Sequence, residues 1–309
     1  DRAKTLIEVD GSFSQYSVNY HRLMLDTFSL AEAWRRHCDL PPFSERLNNR
    51  LAAAAEWLWL LTDAETGDAP NIGANDGARL MPLIGGDYRD FRPSVQLATA
   101  LFRRADAFGK GPWMEQLRWL EVEDQSVRII PHSKSFDFGG YHILRTDRAM
   151  AVLRYPRCKF RPSQADALHV DLWHHGTNLL RDAGTFSYNI EGAEWFSGTA
   201  AHNTVEFDGR DQMPRLGRFL FGDWLTTTDV TLVKEEAGSV TAAAGYLDAQ
   251  GAKHHRAITL TNGGLICTDT ISGSFTNACL RWRLAPGDWQ LDNYILNSEH
   301  CAICIEVDG

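Results

Sequence analysis

The apolar spacing of the chain changes period once. From Ser12 to about Arg104 apolar residues recur at three and four, and after roughly Val122 they alternate at two. A helical pattern does not bury itself as a strand, nor a strand pattern as a helix. The switch therefore demands helices first and strands second. In the first part Tyr16, Tyr20, Leu23, Met24, Thr27 and Ala31 form one stripe, and Leu47, Leu51, Ala54, Leu58 and Leu61 form another. Pro41-Pro42 separates the two, Ser44 is the expected N-cap of the second, and a third helix is expected from Pro93 to Arg104. Such helices with polar, Gly-rich loops between them suggest a helical toroid or bundle. In the second part, segments such as FDFGGYHILRT, AMAVLRY, ALHVDLW and AITLTNGGLICTDT are punctuated by Asp208-Gly209 and Asn262-Gly263. Helices and strands that do not interleave predict an α+β chain of two domains. The first is helical over 1–122, and the second an antiparallel β-sandwich over 123–309.

The 309 residues are 44% apolar and 23% charged, ample for a buried core. No apolar run approaches the roughly 20 residues of a bilayer-crossing helix; the longest, around Ala52 to Leu61, carries Glu56. The net charge of −9 argues against a nucleic-acid partner, whose phosphates draw a basic excess. Cations for an anionic substrate must be local, and the densest group is Arg154, Arg157, Lys159 and Arg161. Six cysteines are scattered, and Cys301-x-x-Cys304 in CAICIEV reads as strand packing. The opening DRAKTLIEVDG has no leader pattern and reads as the end of a helix, so the natural N-terminus is expected upstream.

Three clusters concentrate the residues able to do chemistry: DGSFSQYSVNYHR at 10–22, RPSQADALHVDLWHHGTNLLRDAGTFSY at 161–188, and AHNT at 201–204. In order and spacing they resemble the heparinase II/III-like polysaccharide lyases, built from an incomplete α/α toroid followed by an antiparallel β-sandwich. The resemblance covers nearly the whole chain. It implies β-elimination at a uronic acid of an anionic polysaccharide, in a protein exported to the periplasm or secreted. The C5 proton is removed while the C4–O bond breaks, which needs a base, an acid and stabilisation of the developing enolate.

By this resemblance Tyr20 is the catalytic tyrosine, acting as base and acid, with its ordinary pKa of about 10 to be lowered by neighbouring cations. The alternative for Tyr20 is a core residue on the Tyr16/Tyr20/Met24 stripe. The family's His-x-His-x-Asp run reads Pro162-Ser163-Gln164-Ala165-Asp166 here. Both histidines are replaced, the first a catalytic residue in relatives and the second a zinc ligand. On a strand, His169 shares a face with Ala167 and Asp171, so His169 with Arg161 is the expected replacement in catalysis. Asp182 and His202 match the two retained zinc-ligand positions. Two readings stay open for them: a structural zinc, or a hydrogen-bonded triad with Gln164 and no metal. A zinc site wants about four strong ligands, and an amide oxygen is a weak one.

For substrate contact the expectation is Asn19, His21, Asn75, Arg79 and Trp173, with Tyr188, Trp195 and Phe196 as further aromatic surfaces. Two other classes stay open. One is a non-catalytic glycan-binding or polysaccharide-assembly protein on the same fold. The other is a glycoside hydrolase, for which Asp76 and Asp166 are the one carboxylate pair to nominate.

Overall fold

A computed structural model of the chain describes residues 2–307. Its helices are α1 (Ala3–Leu6), α2 (Val18–His37), α3 (Glu45–Leu61), α4 (Arg92–Arg103) and α5 (Glu115–Trp119). None among the described residues is long and apolar enough to cross a membrane. Helix α2 begins at Val18, two residues after the first residue of the apolar stripe, Tyr16. Tyr16 sits at φ 50° and Ser17 is extended, so the chain cannot be helical there; the Ser17 hydroxyl instead accepts from the Tyr20 amide and caps the helix. Ser44 precedes α3 as expected but makes no side-chain cap bond. Helix α4 ends on Arg104 in the left-handed region.

The strands β1 (Lys134–Phe136), β2 (Tyr141–Arg145), β3 (Ala149–Arg154), β4 (Val170–His174) and β5 (Thr177–Leu180) form one antiparallel sheet in sequential order. Then come β6 (Val205–Phe207), the small hairpin β7 (Arg215–Gly217) and β8 (Leu220–Phe221), and a second sheet. That sheet is a meander of β9 (Thr226–Glu236), β10 (Ser239–Leu247), β11 (Ala252–Thr261) and β12 (Gly264–Gly273). The chain finishes with β13 (Ala278–Leu280), which pairs with β6, and the three-stranded β14 (Gln290–Asp292), β15 (Ile295–Asn297) and β16 (Ala302–Cys304).

The first sheet is covered on both faces, and its period-2 pattern assigns the cover. Tyr141, Ile143, Met150 and Val152 join the helical core with Trp57, Leu58 and Phe91. Their alternates Leu144, Ala151 and Leu153 join Val240, Ala244, Ile258 and Leu260 of the second sheet. Burial on both faces is why AMAVLRY reads as one apolar run. The helices and the first sheet thus share a single core across the 122/123 boundary, and residue contacts between them fix where the helical loops meet the sheet loops.

Candidate functional site

Tyr20 lies on the first turn of α2, half-buried, with its hydroxyl 3.4 Å from the hydroxyl of Tyr188. Tyr188 comes from the sheet part and lines a cavity of about 370 Å³ together with Gln164, Thr185, Phe196, Arg215 and Arg218. The helical loop 71–76 runs along the same cavity. Ala74 lines it, and the Asn75 amide donates to the Thr185 hydroxyl at 3.0 Å. A cavity of this size, with an apolar wall and a few converging polar groups, suits one or two sugar rings.

Burial, then the Tyr188 hydrogen bond, then the nearby Asp76 carboxylate push the Tyr20 hydroxyl well above the usual tyrosine range. This reverses the expectation of a phenolate favoured by cations. The basic group Arg154–Arg161 does not supply them. Arg154 is buried and bonds the carbonyls of Gly139, Gly140 and Tyr155, with Asp166 at 3.6 Å. Arg157 pairs with Asp137 and Lys159 with Glu8. Arg161 is exposed and outside the cavity lining. The pairing with Arg154 also removes buried Asp166 as a partner for Asp76 across a cleft.

The other expected contact residues divide. Asn75 and Arg79 are half-buried and outside the cavity lining: Asn75 follows Ala74 and accepts from Tyr88, and Arg79 donates to the Gly86 carbonyl. Asn19 is buried, and its carbonyl oxygen takes hydrogen bonds from Arg22 and Tyr88. Trp173 faces the helical core with its indole on Asp171. His21 points away from Tyr20, as successive helical residues do: it stacks on Trp57 at 4.3 Å and bonds the Ala54 carbonyl. Asn19, Trp173 and His21 are therefore framework, a correction to their expected substrate role.

Burial pushes the His21 imidazole down to about 3. Unfolded histidine titrates near about 6.5. Between those values the unfolded chain takes up a proton that the folded chain refuses, so this contribution to stability is whole above about 6.5 and shrinks as pH falls. The expected result is that wild type loses about 2 kcal/mol more than His21→Gln between pH 7 and pH 5, read by urea denaturation of both proteins. Equal losses in the two proteins would show that folded His21 takes up its proton as readily as the unfolded chain does, and that burial does not hold it neutral.

His169 does not sit on the strand. Leu168 at φ 61° turns the chain just before β4, which breaks the expected alternation. His169 is fully buried and meets Asp182 and His202, their ligand-type atoms all within 4.8 Å of one another. Its Nδ1 accepts the Asn203 backbone N–H at 3.0 Å, while its Nε2 lies 3.7 Å from both Asp171 and Asp182. His202 Nδ1 donates to Asp182 at 3.0 Å, and the Gly184 amide donates to the same carboxylate at 2.7 Å. Burial opposes both charges, but the pair outweighs it: Asp182 is held below its ordinary range and His202 above. The expectation of a cleft-facing His169 beside Arg161 is corrected.

Behind this centre stands Arg256 of β11, fully buried. It donates to the carbonyls of Leu168 at 2.7 Å and Asn203 at 2.5 Å, and pairs in a fork with Asp269 at 2.7 and 2.9 Å. Sequence reasoning missed Arg256, and also the β7–β8 hairpin that brings Arg215, Arg218 and Phe219 to the cavity. The two arginines flanking Gly217 in PRLGRFLFG were the available signal for the hairpin.

Residues 129–298 match the protein family described as heparinase II/III-like, C-terminal. The chain belongs to the heparinase II/III-like family. Among solved structures, the heparan sulfate lyase HepC from Pedobacter heparinus is similar with a TM-score of 0.69 at 16% identity, over 96% of this chain and 44% of that one. A heparinase III is similar at 0.71 and 16% identity, again over 96% and 44%. A further heparinase III structure gives 0.65 and 19%, over 96% and 46%. At these identities the likeness is one of fold. The chain spans less than half the length of each of these structures. No curated protein matches the sequence.

Proposed function

We propose that this heparinase II/III-like chain forms the catalytic portion of a polysaccharide lyase that cleaves a uronate-containing glycan by β-elimination, with Tyr20 as the proton-transfer group. The carrying observation is the Tyr20 hydroxyl beside Tyr188, which lines a cavity that Arg215 and Arg218 also line. A hydroxyl that holds its proton is an acid first. In one relay the Tyr20 oxygen hands its own proton to the departing O4 and takes up the proton from C5. The C5 electron pair becomes the C4–C5 double bond, and the C4–O pair leaves with the new proton. No free phenolate is needed, which accommodates the raised pKa. Arg215 and Arg218 are the groups we assign to the substrate carboxylate, whose negative charge grows as the C5 proton leaves.

The test is incubation with uronate polysaccharides, among them heparan sulfate and alginate, followed by near-ultraviolet absorbance of the unsaturated uronate. Reducing ends without that absorbance point to a hydrolase. Binding with neither product points to the glycan-binding alternative, which Pro162 and Gln164 in the family's histidine positions favour. Arg218 is exposed on the hairpin, and a carboxylate partner there sits partly in water. Arg218→Ala is therefore expected to lower kcat/KM about tenfold, with part of the loss in kcat because the carboxylate's charge grows in the transition state. An unchanged kcat/KM in steady-state kinetics would remove Arg218 from the carboxylate site.

A further inference from the structure

The resemblance implies a zinc site at Asp182 and His202, and the donors this chain brings to it do not fit a metal. A metal-bound histidine offers one ring nitrogen as a lone pair and donates its other N–H to a carbonyl or carboxylate. At His169 the order is reversed. The Asn203 backbone N–H points at Nδ1, so Nδ1 carries the lone pair and Nε2 carries the hydrogen. That Nε2 is the atom turned toward Asp171 and Asp182, at 3.7 Å from each. Asn203 cannot relax this arrangement, because its side chain is tied to the Val170 and Arg181 carbonyls and to the Arg283 amide. Its own carbonyl is held by Arg256.

With His169 presenting N–H, the strong ligands that remain are Asp182 and His202, and position 164 offers only an amide. Zinc sites use three protein ligands at the least and usually four. We infer that this centre is a metal-free triad in which the His169 imidazole N–H takes the place of the cation, facing the Asp182 carboxylate that His202 bonds from the other side. The second buried carboxylate supports this. Asp171 has its oxygens taken by Trp173 at 2.6 Å, Asn178 at 2.6 Å and the Asp182 amide at 3.2 Å, which spends its acceptor capacity on N–H donors.

Two measurements decide it. Elemental analysis of protein purified from zinc-supplemented medium, with nitrogen-15 NMR of its histidine rings, reads the native centre. The expected result is well under one zinc per chain, and a His169 pattern of acceptor Nδ1 and protonated Nε2 that added zinc leaves unmoved. One zinc per chain that is lost on His202→Ala, or ring shifts at His169 on adding zinc, would overturn the inference. The second is the exchange Gln164→His with His169→Ala, expected to bind one zinc per chain and to gain thermal stability with the metal. A folded double variant that binds none would show that the His169 ring is not what stands in the metal's place. If that variant does not fold, the NMR pattern of the native protein decides alone.

Discussion

Tyr20→Phe is expected to lower the rate of ultraviolet-detected elimination at least about a hundredfold, because a positioned acid–base group contributes typically 10²–10⁴-fold. KM is expected to change little, since the ring stays and the resting protein loses only the hydroxyl's contacts to Tyr188 and the nearby Asp76 carboxylate. The change removes no capped or buried partner. The Tyr20 amide keeps its bond to Ser17, and the long 3.4 Å hydroxyl pair leaves Tyr188 with water available. Stability should therefore fall by no more than about 1 kcal/mol. A variant that keeps most of its turnover would return Tyr20 to the packing role that its helical stripe also allows, and the relay through its oxygen would be abandoned.

How far the sequence carries to this site depends on which interactions are local. The helices α3 and α4 are written in apolar spacing and in Pro93, and both appear within a residue or two of expectation. The start of α2 is not, because what stops the helix is the left-handed Tyr16, and Tyr16 is held by tertiary bonds. Its hydroxyl accepts from the Lys159 amide at 2.8 Å, well over a hundred residues away. The same applies to charge. A run of four cations looks available in sequence, yet Arg154, Arg157 and Lys159 are each consumed by partners from distant segments. Trp173 and His21 show the converse. Periodicity places them on a face, but which face meets the cavity is decided by two layers covering β2, β3 and β4. Tyr20, on the first turn of a helix whose loop neighbour touches the sheet, has its hydroxyl turned toward Tyr188 of the sheet part.

The largest structural effect is expected at Arg256, which no sequence pattern marks. Burial alone would raise the Asp269 carboxyl, but Arg256 and His254 outweigh it and hold that carboxyl well below its ordinary range. Removing one member of a buried pair strands the other, at a cost of about 3–5 kcal/mol. Arg256→Met should pay that cost and leave the Leu168 and Asn203 carbonyls without their donor as well. Arg256→Met with Asp269→Leu removes the stranded charge, and an apolar replacement of a buried pair is often neutral. If Asp269 were the whole cost, the double variant would regain wild-type stability. The two carbonyls predict otherwise: each unsatisfied buried acceptor costs about 1–3 kcal/mol, so a deficit of that order should persist in urea denaturation. The persisting part is the measure of how firmly the second sheet holds His169 and Asn203 in place. Full recovery in the double variant would mean that Arg256 serves only its own carboxylate and that the histidine centre is held by the first sheet alone.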